Sequence, residues 1–287
     1  MEIGVLAQRF KLPWQDAVAI AALTGVTGVQ FYSRTPFEDL LLLTAAQRRQ
    51  AVAYCADFNI KIFSICGEVG GFGFREAEKN PANIERTKRN IDLALDLGCN
   101  IVTSHIGVIQ TFPGSELRRN QLNSLREIGE YAASCGAYFA IETGPERGHI
   151  LRDFLDELSA PGIGINLDPG NMAMVTGEAP QDTVAALAPF IVHTHIKDGI
   201  HLQDCDPERI YRSFATGGIK QLIAETGELF KETEVGAGDI DWDKYITALK
   251  TAGFDGAMVI ERENSEKSFE EVCECVQFIS RKLNHLL

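Results

Sequence analysis

Short apolar runs alternate with longer segments of helical spacing along the whole chain. The runs at 2–7, 28–33, 60–66, 100–106, 137–143, 163–168, 191–197 and 257–263 read as strands. Between them, 83–98 and 117–136 carry the clearest helical periodicity, and each closes on a glycine (Gly98, Gly136) suited to a helix C-terminus. Eight strands in strict alternation with helices predict an α/β fold with a parallel sheet, and eight such units close into a (β/α)8 TIM barrel. No linker, low-complexity run or compositional break divides the chain, so the expected organisation is one barrel over 1–287. The irregular stretch is 199–240, between the seventh and eighth strands, where a short helix (207–232) and a loop are expected to cover the mouth.

The alternation inside each strand adds detail. Barrel strands point every second residue inward and the others towards the helices. With Glu142 inward, Tyr138 and Ala140 join it, while Phe139 and Ile141 face out. With Asp168 inward come Gly164 and Asn166, against Ile163, Ile165 and Leu167. His195 brings Ile191 and His193 inward and leaves Val192, Thr194 and Ile196 outward. Glu261 brings Ala257 and Val259 inward and leaves Met258 and Ile260 outward. The outward faces are predominantly apolar, as packing against helices requires. Each ionisable residue falls at the C-terminal end of its strand, which is the end where barrels carry active sites.

Four consecutive strands therefore end in metal-ligand types: Glu142, Asp168, His195 and Glu261. Burying three carboxylates with an imidazole is very costly without a compensating cation. The oxygen-rich donor set favours Mn2+ or Mg2+, with Co2+ or Zn2+ as further options, and predicts one bound divalent metal. Set against this is the plain fact that any barrel mouth carries polar groups.

Composition narrows the partners. The 287 residues suit one barrel, which needs about 250. A net charge of −13 argues against nucleic acid, although a few local donors would still hold one phosphate. No stretch approaches the roughly 18 apolar residues of a membrane span, and the N-terminus has no secretory pattern. Seven cysteines without a CxxC fit a reducing cytoplasm, not a disulfide framework. Cys273 and Cys275, two apart on a helical pattern, do not share a face. Cys66, ending the third strand, either lines the mouth or packs as a small hydrophobe.

The segments AIETG, NLDPGNM, VHTHIKD, GAGDIDW and VIERE, in that order, resemble the xylose isomerase-like TIM barrel superfamily. More narrowly they are similar to its sugar phosphate isomerase/epimerase branch, which includes D-tagatose/D-psicose 3-epimerases and inosose dehydratase. The resemblance implies the same four metal ligands, Glu142, Asp168, His195 and Glu261. One departure stands out: many members read Asp-x-x-His after the sixth strand, where this chain has Asn171. That residue type hydrogen-bonds a sugar hydroxyl but ligates metal poorly, and some ketopentose-phosphate 3-epimerases share it, which points towards a phosphosugar. His201 falls where the branch often has a substrate-contacting Arg.

Further candidates carry two readings each. His105 is a substrate contact or a core histidine bonded to a carbonyl. His193, about 6.6 Å deeper than His195, is expected behind the ligands or in the core. Lys197 contacts substrate or faces solvent, and Asp198 orients a ligand or substrate. Glu68, in a Gly/Phe-rich loop, forms a wall over the substrate or belongs to a mobile loop. Gly236–Trp242 lacks the lysine of a phosphate loop and reads as a turn with Asp241 capping the next helix.

The implied reaction is proton transfer on a keto-sugar or sugar phosphate through an enediolate, with Glu142 and Glu261 as acid and base. Proton return to the same carbon epimerises, return to its neighbour isomerises, and loss of a β-hydroxyl dehydrates. The competing readings are a hydride-shift isomerase using Asp204 and Asp206 at a second metal, and a non-catalytic sugar-binding barrel. A DNA-repair endonuclease would need more than six histidines and a basic face. Members of the family are often dimers or tetramers, so a homo-oligomer is a further expectation.

Overall fold

A computed structural model describes residues 1–36, 38–262 and 267–285. The chain runs β1 (Glu2–Leu6), α1 (Trp14–Thr24), β2 (Gly28–Tyr32), α2 (Ala45–Asp57), β3 (Lys61–Cys66), α3 (Asn80–Asp96), β4 (Ile101–Ser104) and α4 (Glu116–Ser134). It continues through β5 (Tyr138–Glu142), α5 (Gly148–Leu158), β6 (Ile163–Leu167), α6 (Pro169–Thr176), α7 (Pro180–Leu187) and β7 (Ile191–Ile196). Then follow β8 (Asp198–His201), α8 (Pro207–Thr216), α9 (Ile219–Thr226), β9 (Phe230–Thr233), α10 (Trp242–Thr251), β10 (Ala257–Ile260) and α11 (Ser268–His285). Eight parallel strands close in the order β1-β10-β7-β6-β5-β4-β3-β2, and β8 and β9 pair separately as an antiparallel ribbon. The expected (β/α)8 barrel is thus the observed fold. Each expected strand is present and within a residue or two of its limits, except that the last ends earlier; Glu263, at its expected end, lies outside the described residues.

Apolar outward faces pack against the helix ring, as Val5, Val29, Ile65, Val102, Phe139, Ile141 and Ile165 do with no measurable exposure or almost none. Thr194 is the polar member of an outward face, and its hydroxyl pairs with Tyr245 of α10 at 2.6 Å. Inside, the floor of the barrel is made by shape. Gly4 and Gly28 leave space for the Phe63 ring: a Cβ on Gly28 would lie 2.4 Å from it. A one-residue slip of register between Val29–Ile62 and Gln30–Ser64 lets Phe63 fill this floor while Ser64 still faces the axis.

Helix termini follow local chemistry. Ser115 caps α4 through Arg118 N–H, and Asp241 caps α10 through Lys244 N–H at 3.1 Å, as its place before the helix predicts. The stretch 199–240 differs from expectation. In place of one helix over 207–232 there are two, α8 and α9, followed by β9. Gly217 at φ 74° ends α8 in the left-handed region, and Gly227 at φ 83° ends α9. Among the described residues no helix is long and apolar enough to cross a membrane.

Candidate metal centre

Strand alternation carries four side chains to the C-terminal mouth, where Glu142, Asp168, His195 and Glu261 are each at most 5% exposed. One ligand atom from each lies within 4.8 Å of the others. The point of convergence is His195 Nδ1, which faces Asp168 Oδ2 at 3.2 Å, Glu261 Oε2 at 3.2 Å and Glu142 Oε1 at 3.6 Å. The burial that would lower the imidazole pKa is outweighed by Glu261 and Glu142, and the ring is held well above its usual value. Burial raises the Glu142 carboxyl to about 7 against the pull of His105 and His195. Burial acts upward on Glu261 too, but Lys197 and His195 hold that carboxyl well below the usual range. Three hard oxygen donors and one imidazole nitrogen, buried and aimed at one point, fit a divalent cation.

Side chains beneath the cluster orient it. Gln30 donates through Nε2 to Thr103 at 2.8 Å, which leaves its Oε1 to accept from His195 Nε2 at 3.0 Å. That directs His195 Nδ1 at the carboxylates. On the other side, Ser64 and His193 Nε2 pair at 2.9 Å, and His193 Nδ1 meets Asn166 Oδ1 at 2.8 Å. Burial and the neighbouring His195 push His193 well below its usual pKa, so it is neutral: Nε2 accepts from Ser64 and Nδ1–H donates to Asn166. The Asn166 amide is thereby fixed with Nδ2 towards Glu142 Oε2 at 3.3 Å. Asp168, capping α6, gives Oδ1 to Asn171 N–H at 2.7 Å and keeps Oδ2 for the cluster.

The remaining candidates fall as follows. Asn171 donates to Glu142 Oε1 at 3.3 Å. Lys197 is buried, with Nζ 3.1 Å from Glu261 and 3.9 Å from Asp168. His105 receives Glu68 at Nδ1 (3.0 Å) and at its backbone N–H (2.8 Å), and its Nε2 lies 3.9 Å from Glu142. Burial would lower His105, but Glu142 and Glu68 raise it to about 10. Glu68, His105 and Glu142 also form a second, more open group of metal-ligand types. His201 is not brought to the centre: it sits on β8, its ring nitrogens on Met174 O (2.9 Å) and Asp204 (3.2 Å). Asp198 points away as well, because it follows the inward Lys197. Its carboxylate holds Gly199 N–H, Gly236 N–H and the Trp242 indole at 2.8, 2.8 and 2.9 Å, so it anchors the 236–242 turn and does not orient a ligand.

Some residues around the centre were not singled out from the sequence. Gln30 lies mid-strand, where only the inward register marks it. Glu146 lies in the loop after β5, fixed by Ile109 N–H at 2.6 Å, and burial raises its carboxyl to about 7. Tyr211 of α8 reaches back so that its ring centre is 5.8 Å from that of His105. Nothing local in the 199–240 stretch marks that tyrosine.

The fold and the buried group define a class, the parallel barrel that gathers residues of metal-ligand type at its C-terminal mouth. Within that class the chain belongs to the xylose isomerase-like TIM barrel family, whose model matches residues 18–279. A curated relative, the uncharacterized protein MJ1311 of Methanocaldococcus jannaschii, is 23% identical over 232 residues, 72% of this chain and 70% of the other. Among solved structures, a xylose isomerase domain protein from Planctomyces limnophilus superposes with a TM-score of 0.76 at 20% identity, covering 98% of this chain and 95% of that one. The probable 3-DHS dehydratase AsbF of Bacillus anthracis gives 0.75 at 18% identity, with 98% and 99% covered. A D-allulose 3-epimerase from Methylomonas sp. in complex with D-allulose gives 0.70 at 17% identity, with 98% and 97% covered.

Proposed function

We propose that this barrel is a divalent-metal-dependent isomerase or epimerase of a keto-sugar or keto-sugar phosphate. The observation that carries the reading is the pair Glu142 and Glu261. They come from β5 and β10, which are not neighbours in the barrel, and face the same His195 nitrogen from two sides. The likeness in fold to a D-allulose 3-epimerase supports it. Glu142, Asp168, His195 and Glu261 would hold the ion, Mn2+ foremost, with Mg2+, Co2+ or Zn2+ as alternatives. When bound, the ion supplies Lewis-acid polarisation of a carbonyl and acidifies the adjacent C–H.

The protein's own groups do the rest. A substrate carbon between the two carboxylates loses its proton to one and regains it from the other. Glu142 and Glu261 form the acid/base pair, with Lys197 beside Glu261 favouring its carboxylate form. His105, oriented by Glu68, offers Nε2–H to a substrate oxygen beside Glu142. Asn171 positions Glu142 and presents its amide to a sugar hydroxyl. His201 has no part in this reading, since both its ring nitrogens are occupied.

A second reading, a dehydratase of a keto-polyol, draws on Lys197. Its Nζ beside Glu261 is placed to protonate a departing β-hydroxyl. One experiment separates the two. The metal-loaded protein is incubated in D2O with keto-pentoses and keto-hexoses, free and phosphorylated, and deuterium at the carbons beside the carbonyl is followed by NMR. Exchange without loss of water is expected, reduced by about 10²–10⁴-fold in Glu142→Gln and in Glu261→Gln. Loss of water would make it a dehydratase; a protein that binds metal yet exchanges with no sugar would defeat the proton-transfer reading.

A further inference from the structure

Helix α8 belongs to the 199–240 stretch, yet it is fastened to the far rim of the barrel. Arg75, in the loop after β3 and 8% exposed, grips Glu208 with one guanidinium nitrogen at 3.0 and 2.9 Å from its two oxygens. Gly71 of the same loop passes so close to α8 that a Cβ there would lie 2.4 Å from that of Ala215. One turn of helix beyond Glu208, Tyr211 turns inward. Its ring stacks at an angle on His105, and its hydroxyl lies against Gly144, where a Cβ would come within 2.1 Å of the phenol oxygen. Gly144 stands two residues after Glu142, and the phenol is near enough to feel the Glu142 carboxylate. Burial first, then the carboxylates of Glu146 and Glu142, push the phenol well above its usual pKa, so it is a neutral donor. Among the described residues no protein group pairs with that hydroxyl, although Tyr211 is partly buried.

A donor carried inward on a fastened helix, near the reactive carboxylate and without a protein partner, is a group set for a ligand. We infer that Tyr211 is a substrate-contacting, specificity-determining residue, whose hydroxyl donates to a sugar oxygen beyond the carbons that lie between Glu142 and Glu261. This rests on the keto-sugar reading above. It adds that the site measures the length of its substrate: a polyol reaching Tyr211 gains a hydrogen bond that a three-carbon ketone cannot make. Arg75 and Glu208 act through Tyr211, as positioning residues that hold α8 over the mouth.

The test compares deuterium exchange into D-fructose and D-psicose with exchange into dihydroxyacetone, which has no carbons beyond the reacting ones. In metal-loaded Tyr211→Phe, kcat/KM for the hexoses is expected to fall about five- to tenfold, through KM, as befits one neutral hydrogen bond. Exchange into dihydroxyacetone and calorimetric metal affinity are expected to stay as in the parent. Arg75→Met should reproduce the selective loss, because it frees α8 without altering Tyr211. Equal losses on hexose and triose, or no loss on hexose, would overturn the assignment while leaving the keto-sugar reading intact. A parent protein that exchanges with none of these three nor with any free or phosphorylated keto-sugar of the panel above would remove the keto-sugar reading and this assignment with it.

Discussion

Gln30 decides which face His195 shows to the carboxylates. Its amide nitrogen donates to Thr103 and its oxygen meets His195 Nε2. Partners of this kind set the orientation and basicity of a ligating imidazole. Gln30→Leu keeps the volume and removes the acceptor; it is expected to weaken divalent-metal affinity by about 10–100-fold, measured by calorimetry, with far-UV circular dichroism unchanged. Unchanged affinity would mean that the carboxylates alone orient the ring. The four central residues were legible in the sequence because each is an inward position near the C-terminal end of its strand, and an ionisable residue there has no apolar explanation. Lys197, left in the sequence between substrate and solvent, is buried beside Glu261, two residues after His195. Reading Asp198 towards the ligand failed because its partners, Gly236 and Trp242, are distant in sequence and no local pattern announces them.

At the scale of elements, strands and the long helices were legible from period alone, whereas the α8–β9 stretch was not. Its helices are short, their core is a small cluster around Val175, Ile210, Leu222 and Leu229, and glycines cut the pattern twice. What keeps this stretch on the barrel is largely polar. Asp198, buried, accepts three hydrogen bonds, two of which tie β8 to the 236–242 turn ahead of α10. Asp198→Ala leaves two backbone N–H groups and an indole without their acceptor. It is expected to cost about 2–4 kcal/mol in urea unfolding, while calorimetric metal affinity stays near that of the parent. A loss of metal binding equal to the loss of stability would instead tie Asp198 to the metal centre.

For the molecule as a whole, stability carries the mark of buried carboxyls. Burial raises Glu146 from 4.5 to about 7. Below pH 4.5 folded and unfolded chains both keep this proton, and the stability it confers is fully present. Between 4.5 and about 7 only the unfolded chain releases it, so stability falls as pH rises, by up to about 1.4 kcal/mol per unit. Above about 7 the loss is complete. Glu146→Gln removes this slope, so unfolding curves across pH should show the variant gaining on the parent from pH 4.5 to about 7 and keeping that lead above. Parallel curves would show that Glu146 does not titrate in this window.

The ring closes where Glu2 pairs with Ala257 and Ile3 with Met258. Within the barrel, β1 therefore lies beside the strand made last, and the six other barrel strands are made between them. Until β10 emerges, β1 has a bare backbone edge and the buried cluster lacks Glu261. The growing barrel thus stays an unsealed sheet, exposed to strand-adding neighbours, until its eighth strand is made, and the four-residue cluster is complete only then.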